Sequence, residues 1–177
     1  MRNKKEIHIE DFDTKYEYYR KKAGYSREKA SELLPGISPD KLYRIENGTQ
    51  IAEPYDVIQM TKLYNSPELC NYHCSNFCDI GKKQIPKMDV GELPSIVLQT
   101  IGSLNEIQPL VNRLIQITMD GNISDDEIKD FALIQTKLDQ VSYCSDVLDL
   151  WIKRTINENK LNGELLKEEI EKLKQEV

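Results

Sequence analysis

The most reactive side chains lie in residues 69–82, which read LCNYHCSNFCDIGK. Cys70, Cys74 and Cys78 recur at every fourth residue, and His73 precedes Cys74. On a helix the three thiols would share one stripe. Thiolate and imidazole groups suit Zn²⁺ and other soft metals, and cytosolic cysteine clusters more often serve metal or redox chemistry than structural disulfides. The segment is therefore a candidate for metal or thiol chemistry.

Helix geometry limits the metal hypothesis. A helix rises about 12 Å over eight residues, so Cys70 and Cys78 cannot bind one tetrahedral ion unless the helix breaks between them. Cys70, His73 and Cys74 could form a local three-ligand set. Free cysteines also pack as small hydrophobic side chains, and we favour that interpretation over metal binding and over redox sensing. Cys144 stands alone and is predicted to be a core thiol.

A second segment, residues 120–127 with the letters DGNISDDE, is similar to the last part of a calcium-binding EF-hand loop. Gln116 and Thr118 occupy the first and third ligand positions, where carboxylate oxygens are needed, so we expect no calcium site. The segment instead predicts a turn beginning at Asp120, followed by a helix with a capping box formed by Ser124 and Glu127.

The chain offers no catalytic set. Its two histidines are His8 and His73, and no Ser/His/Asp arrangement can be assembled from them. Neither GxxxxGK[ST] nor GxGxxG occurs, so a Gly-rich phosphate loop is also absent from the sequence. We therefore expect neither enzymatic activity nor a cofactor.

A different kind of site is predicted by residues 26–48, SREKASELLPGISPDKLYRIENG. Ser26 and Ser38 are suitable N-caps for two short helices, and Pro39 fits the first turn of the second helix. The inward positions are predicted to be Ala30, Leu33, Leu34, Ile37, Leu42 and Ile45. The second helix, residues 38–47, would then expose polar side chains in the geometry with which small domains enter the DNA major groove.

The string IxxxxLYRIENG after SREKASELL resembles the helix-turn-helix domain of the Cro and phage-repressor (XRE) regulator family, over residues 11–68. The resemblance implies an all-α, five-helix, lambda-repressor-like domain. Its helices would occupy residues 14–23, 26–34, 38–47 and 54–64, and the fifth would start near Ser66. Two departures are Arg27, where the family often has glutamine, and Pro35, which looks like one extra residue in the turn.

The resemblance also implies a function, that of a sequence-specific transcriptional regulator that binds double-stranded DNA. Lys41, Tyr43 and Arg44 would meet base edges, and Asp40 a cytosine amino group, although the family's arginine at this place often faces phosphate or Glu46. Arg27, Lys29, Thr49 and Gln50 would contact phosphate. The full predicted set is Arg27, Lys29, Ser38, Asp40, Lys41, Tyr43, Arg44, Thr49 and Gln50.

Charge is distributed unevenly along the 177 residues. Residues 1–83 hold 14 Lys and Arg against 13 Asp and Glu, whereas residues 84–177 hold 10 against 17, which together give the net charge of −6. The near-neutral first part allows DNA binding through a local basic face, and a solvated charged surface is the ordinary alternative. The candidates for that basic face are Arg20, Lys21, Lys22, Arg27, Lys29, Lys41 and Arg44.

Three parts are predicted: residues 1–83 as the DNA-binding domain with a Cys-rich fifth helix, 84–94 as a linker, and 95–177 as a helical dimerisation or partner domain. Pro109 should interrupt the first helix of the last part. The segments ISDDEIKDFALIQ and VLDLWIKR resemble the C-terminal region of Firmicute-type XRE regulators, which implies no chemistry. The apolar stripes are Val97, Ile101, Leu104, Val111, Leu114 and Ile115; Ile128, Phe131, Leu138, Val141, Leu148, Trp151 and Ile152; and Leu161, Leu165, Leu166, Ile170, Leu173 and Val177.

Such narrow stripes favour a bundle or coiled coil between two copies over an intramolecular three-helix bundle. A homodimer would bind a pseudo-palindromic operator with half-sites about 34 Å or a multiple apart. The alternatives are a protein-interaction module without DNA binding and a metal- or redox-responsive regulator, and an unidentified protein or small-molecule effector is left open. The sequence shows no membrane-spanning run and no secretory signal, so we expect a cytoplasmic protein.

Overall fold

The computed structural model describes residues 8–119 and 121–175. These residues form helices, turns and irregular segments with no strand among them, which confirms the all-α class. Two predicted positions, Asp120 in the turn and Val177 in the last stripe, lie outside the described residues. The ten α-helices of the described part are α1 Lys15–Lys22, α2 Arg27–Leu33, α3 Pro39–Glu46, α4 Pro54–Tyr64, α5 Glu68–Asn76, α6 Gly81–Gln84, α7 Leu93–Ile107, α8 Val111–Thr118, α9 Ile128–Asn157 and α10 Gly163–Gln175.

The chain folds into two compact units. The first unit contains the described residues up to Lys87 together with those from Lys153 onward, and the second is Met88–Ile152. The sequence-based division placed residues 95–177 in one domain, whereas the structure groups the end of α9 and α10 with the N-terminal helices. Contacts between residues far apart in the sequence hold the end of α9 there: Asn65 Nδ2 donates to the Asn157 carbonyl at 2.6 Å, and Arg154 pairs with Glu68 at 3.9 Å.

In the first unit, α1 packs against α3, α4 and α5, and α2 packs against α3. The N-cap predictions are confirmed, since the backbone N–H of Lys29 donates to Ser26 Oγ and that of Lys41 donates to Ser38 Oγ, both at 3.1 Å. Capping satisfies helix N–H groups that have no intrahelical acceptor. The apolar core consists of Tyr16, Tyr19, Ala30, Leu34, Ile37, Leu42, Ile45, Ala52, Val57, Met60, Tyr64 and Leu69.

One predicted core residue is not buried. Leu33 is 45% exposed, whereas Leu34, the next residue, is 2% exposed. The helix ends at Leu33, and the extended backbone of Leu34 turns that side chain into the core. Gly36 then has φ of 78°, a conformation that favours glycine, and the chain enters α3 through Ile37.

The predicted linker, residues 84–94, is helical only at its two ends, at Gln84 and at Leu93 and Pro94. Residues 81–84 form the short helix α6, and residues 85–92 have no helix. α6 lies against α5 so closely that a Cβ atom at Gly81 would be 2.2 Å from the Cys74 carbonyl oxygen. The Gly and Pro residues of this segment predict an interruption of the helical spacing of apolar residues. The close packing of α6 on α5 depends on the absence of a side chain at Gly81.

The second unit contains α7, α8 and most of α9. Pro109 interrupts the first helix as predicted, because α7 ends at Ile107 and a 3-10 turn precedes α8. α9 is 30 residues long and contains the whole of the predicted stripe from Ile128 to Ile152. The Glu127 carboxylate accepts from the Ser124 backbone N–H at 3.1 Å, although the helix begins only at Ile128. The buried residues are Ile96, Ser103, Ile117, Ile134, Cys144, Val147 and Leu150.

Burial within one chain does not follow the predicted stripes of this unit. Val97, Ile101, Leu104, Val111 and Ile115 belong to a predicted stripe, and all five are exposed. The buried positions of α7 are instead Ile96 and Ser103, and Ser103 Oγ lies 3.6 Å from Cys144 Sγ of α9. On α9, Ile128 and Leu138 are likewise exposed, and in α10 none of the described residues is buried.

Candidate nucleic-acid interface

The candidate site is the outward face of α3. Asp40, Tyr43 and Arg44 lie at positions i, i+3 and i+4, so they share one side of the helix, and all three are exposed. The opposite side carries Leu42 and Ile45, which are completely buried. The helix therefore presents a polar face of three side chains from a rigidly packed base.

Lys41 does not belong to this face. Its Nζ atom lies 2.8 Å from Asp56 Oδ2 of α4, and both side chains are largely buried. The reason is helical geometry, because a step of one residue turns Lys41 away from Asp40 and towards the side that packs on α4. The structure therefore separates Lys41 from the three residues with which it was predicted to act.

Arg44 is held in place by two neighbours. It forms an ion pair with Asp40 one turn earlier, and its Nε donates to Gln50 Oε1 at 3.0 Å. The Thr49 hydroxyl lies 3.3 Å from the Arg44 carbonyl oxygen and 2.6 Å from Asn47 Oδ1. The predicted phosphate contacts Thr49 and Gln50 are thus adjacent to Arg44 in space.

Arg27 connects the start of α2 to α3. Its Nε donates to Glu46 Oε2 at 3.0 Å, and its guanidinium lies over the Tyr43 ring, 4.9 Å from the centroid. Such a cation–π contact fixes the orientation of the tyrosine ring. The nearby Lys29 pairs with Glu32 at 2.7 Å on the exposed side of α2. Arg27 thus supports the candidate site, and Lys29 lies at its margin.

A buried charge network that the sequence reasoning missed lies beneath this face. Arg20 was a candidate for the basic surface, but its side chain is 1% exposed and binds Glu46 through two hydrogen bonds, at 2.5 and 2.8 Å. Burial disfavours the charged guanidinium, yet its hydrogen bonds to Glu46 outweigh that penalty and raise the pKa of Arg20. Arg20 follows the buried Tyr16 by one helical turn, and this spacing could have indicated that Arg20 lies on the inner face of α1.

The cysteine segment is divided by the end of α5. Cys70 and Cys74 lie in the helix, and Cys78 follows it. His73 is buried, with Nδ1 2.9 Å from the Tyr16 hydroxyl, and burial lowers its pKa. Within the described ranges, no group of three or more His, Cys, Asp and Glu side chains is arranged to hold a metal ion.

The Cys74 thiol is not activated. Burial, and then the nearby Cys78 and Cys70, raise the pKa of Cys74, so its thiol form predominates at neutral pH. Cys70 is exposed and contacts the Thr61 hydroxyl at 3.4 Å. Cys144 is buried in the second unit, as predicted. Cys144 is thus packed in a core, Cys74 is partly buried, and Cys70 lies at the surface.

Comparison of the chain with protein-family models, with curated proteins and with solved structures returns no match. In the part of the chain that the structure describes, each helix is too short or too polar to cross a membrane.

Proposed function

We propose that the protein is a sequence-specific regulator of transcription that binds double-stranded DNA through α3. The observation that carries the proposal is the two-sided character of this helix, with Asp40, Tyr43 and Arg44 exposed together and Leu42 and Ile45 buried. A capped helix with an exposed polar face, packed on a preceding helix across a tight turn, suits insertion into the major groove. The lambda-repressor-like arrangement implied by the sequence pattern belongs to this proposal.

Arg44 is the principal base-reading residue, because arginine can donate two parallel hydrogen bonds to guanine O6 and N7. Its ion pair with Asp40 does not prevent this role, since exposed pairs of this kind contribute at most about 1 kcal/mol. Gln50 and Asp40 orient the guanidinium before DNA arrives. Tyr43, braced by Arg27, would contact a base or a thymine methyl group, and Lys29, Thr49 and Gln50 would contact phosphate.

Two copies would bind two half-sites, each read by one α3. The half-sites would lie about 34 Å or a multiple apart, on one face of the duplex. The net charge of the whole chain does not oppose this, because the excess of acidic residues is concentrated in residues 84–177. Only the face that meets phosphate needs to be basic.

The first experiment is selection from a randomised duplex pool, followed by affinity measurements at several salt concentrations. The wild type should enrich a motif, and Tyr43→Ala with Arg44→Ala should abolish the enrichment. The matched control is Lys172→Ala on α10, because Lys172 is also an exposed helical cation paired with an acidic neighbour. An equal loss in the control, or no enriched motif with the wild type, would refute the proposal.

A protein-interaction module is the second candidate, and a specific observation favours it. Tyr43, Ile51, Tyr55 and Ile58 are all exposed around α3, α4 and the segment between them. In addition, Lys29, Arg27, Lys41 and Arg44 each pair with an acidic side chain of the same chain. If the pool selection gives no motif, Tyr55→Ala should weaken binding of a captured partner protein while Leu173→Ala on α10 leaves it unchanged.

A further inference from the structure

Helix α7 has two apolar faces, and the protein buries only one of them. Ile96 and Ser103 form the buried face, whereas Val97, Leu98, Ile101 and Leu104 are exposed. At about 100° per residue these four exposed side chains cover an arc of about 120°, next to the buried stripe. A helix that exposes this much apolar surface lacks a partner along that side.

Helix α8 repeats the pattern. Ile117 is buried, whereas Val111 and Ile115 on another side of the helix are exposed, followed by Met119. The seven exposed side chains of α7, α8 and Met119 are between 39% and 80% exposed. Large groups of exposed apolar side chains are unusual on a monomeric protein and mark interaction sites.

The charge distribution selects the partner. Residues 93–119 contain only two charged side chains, Glu106 and Arg113. Both are paired within the same unit, Glu106 with Lys137 at 2.5 Å and Arg113 with Asp130 at 2.6 Å. A basic or acidic partner would find no opposite charge to pair with on this face.

A second copy of the chain meets these conditions. Residues 88–152 hold 11 acidic and 3 basic side chains, so two such units repel one another over most of their surface. The face of α7 is where they can meet without placing like charges together. An interface between identical copies must also be self-complementary about a two-fold axis, and a largely apolar face without charged side chains satisfies that requirement.

We propose that the exposed face of α7 is the homodimer interface, with two α7 helices packed antiparallel about a two-fold axis at Ile101. This register places Leu98 of one copy opposite Leu104 of the other. The 15 residues of α7 give a contact about 22 Å long. The proposal deepens the proposed function, because it names the surface that would join two DNA-binding units.

Helix α10 is the competing interface. Leu166, Ile170 and Leu173 have coiled-coil spacing, and the helix has no buried residue among those described. With 13 residues, however, it is shorter than most helices that pair stably through such a seam. It therefore supplies a control of similar exposure and chemistry.

Sedimentation velocity of the full chain tests the assignment. The wild type should sediment at about twice the monomer mass of 20.5 kDa. Leu98→Glu combined with Ile101→Glu should raise the dimer dissociation constant at least about a hundredfold, because each dimer would bury four carboxylates. Leu173→Glu should leave the dimer unchanged. A monomeric wild type, or a dimer that only Leu173→Glu dissociates, would overturn the proposal.

A cysteine variant covers the case in which the double variant fails to fold. Ile101→Cys should form a disulfide-linked dimer under mild oxidation at least about tenfold faster than the wild type, because the two-fold axis brings both copies of this position together. Leu138→Cys, a similarly exposed site on α9, serves as the control. Equal rates for the two cysteine variants would contradict the register.

The failure of this proposal can be separated from that of the proposed function. A chain that dimerises through α7 but enriches no DNA motif would support the proposed interface and refute the proposed function. A monomeric wild type that still enriches a single half-site would support DNA binding and refute the proposed interface.

Discussion

The Glu46 carboxylate binds the Arg20 guanidinium through both of its oxygens, with Nε to Oε1 at 2.5 Å and Nη2 to Oε2 at 2.8 Å. Both side chains are 1% exposed, and the remaining contacts are also made, with Arg27 to Glu46 and Arg20 Nη1 to the Tyr25 carbonyl. This pair joins α1 to the end of α3. The helix that presents the candidate site is thus anchored by a buried, fully hydrogen-bonded charge pair.

Breaking this pair should be costly. Arg20→Met leaves Glu46 in the core with only Arg27, and removing one partner of a buried ion pair typically destabilises by about 3–5 kcal/mol. Arg44→Met is the matched control, since its pair with Asp40 is exposed and should change stability by less than about 1 kcal/mol. Urea denaturation measures both. Similar losses in the two variants would show that the buried pair is not the anchor.

Removal of the hydroxyl group should change the stability of the protein in opposite directions at two buried tyrosines. Tyr64 Oη is buried without a hydrogen-bond partner among the described protein atoms, whereas the Tyr16 hydroxyl is 2.9 Å from His73 Nδ1. Tyr64→Phe should therefore be neutral or stabilising by about 1 kcal/mol, and Tyr16→Phe destabilising by about 1–2 kcal/mol. Thermal unfolding of both variants is the measurement. A larger loss of stability for Tyr64→Phe than for Tyr16→Phe would mean that the Tyr64 hydroxyl has a hydrogen-bond partner in the folded protein.

His73 should make stability depend on pH. Burial lowers its pKa in the folded state, so the unfolded chain, with a pKa near 6.5, binds the proton more readily. The contribution of His73 to stability is therefore fully present above about pH 6.5, and it is lost as the pH falls from there through the lower folded pKa. His73→Gln should flatten the dependence of the unfolding free energy on pH between about pH 7 and 5. An unchanged slope in His73→Gln would assign the effect elsewhere.

The contact between α5 and α6 should not tolerate a methyl group. Gly81→Ala would place Cβ 2.2 Å from the Cys74 carbonyl oxygen, so the backbone must move. The expected cost is about 1–3 kcal/mol, together with faster alkylation of Cys74 as α6 is displaced. Gly91→Ala, which has open space around it, should leave both properties unchanged. Urea denaturation and thiol labelling would check the pair.

Several features follow from short stretches of sequence. Ser26 and Ser38 cap helices because each needs only the N–H groups of the next turn, and Pro109 ends α7 because its ring and missing N–H act locally. The exposed set on α3 follows in part, since Asp40, Tyr43 and Arg44 lie one turn apart. These predictions involve neighbours within about four residues, where the chain itself sets the distance.

Only the tertiary structure decided the partners and the buried faces. Glu46 could pair with Arg44 or Arg20 on sequence alone, and the packing of α1 on α3 brings Arg20 to it. Lys41 has the composition of a base-reading residue, but α4 places Asp56 beside it. In α7 the apolar arc is wider than any one neighbour can cover, so the sequence cannot show that Ile96 is buried and Ile101 exposed. Each choice depends on elements far along the chain, whose positions no local pattern contains.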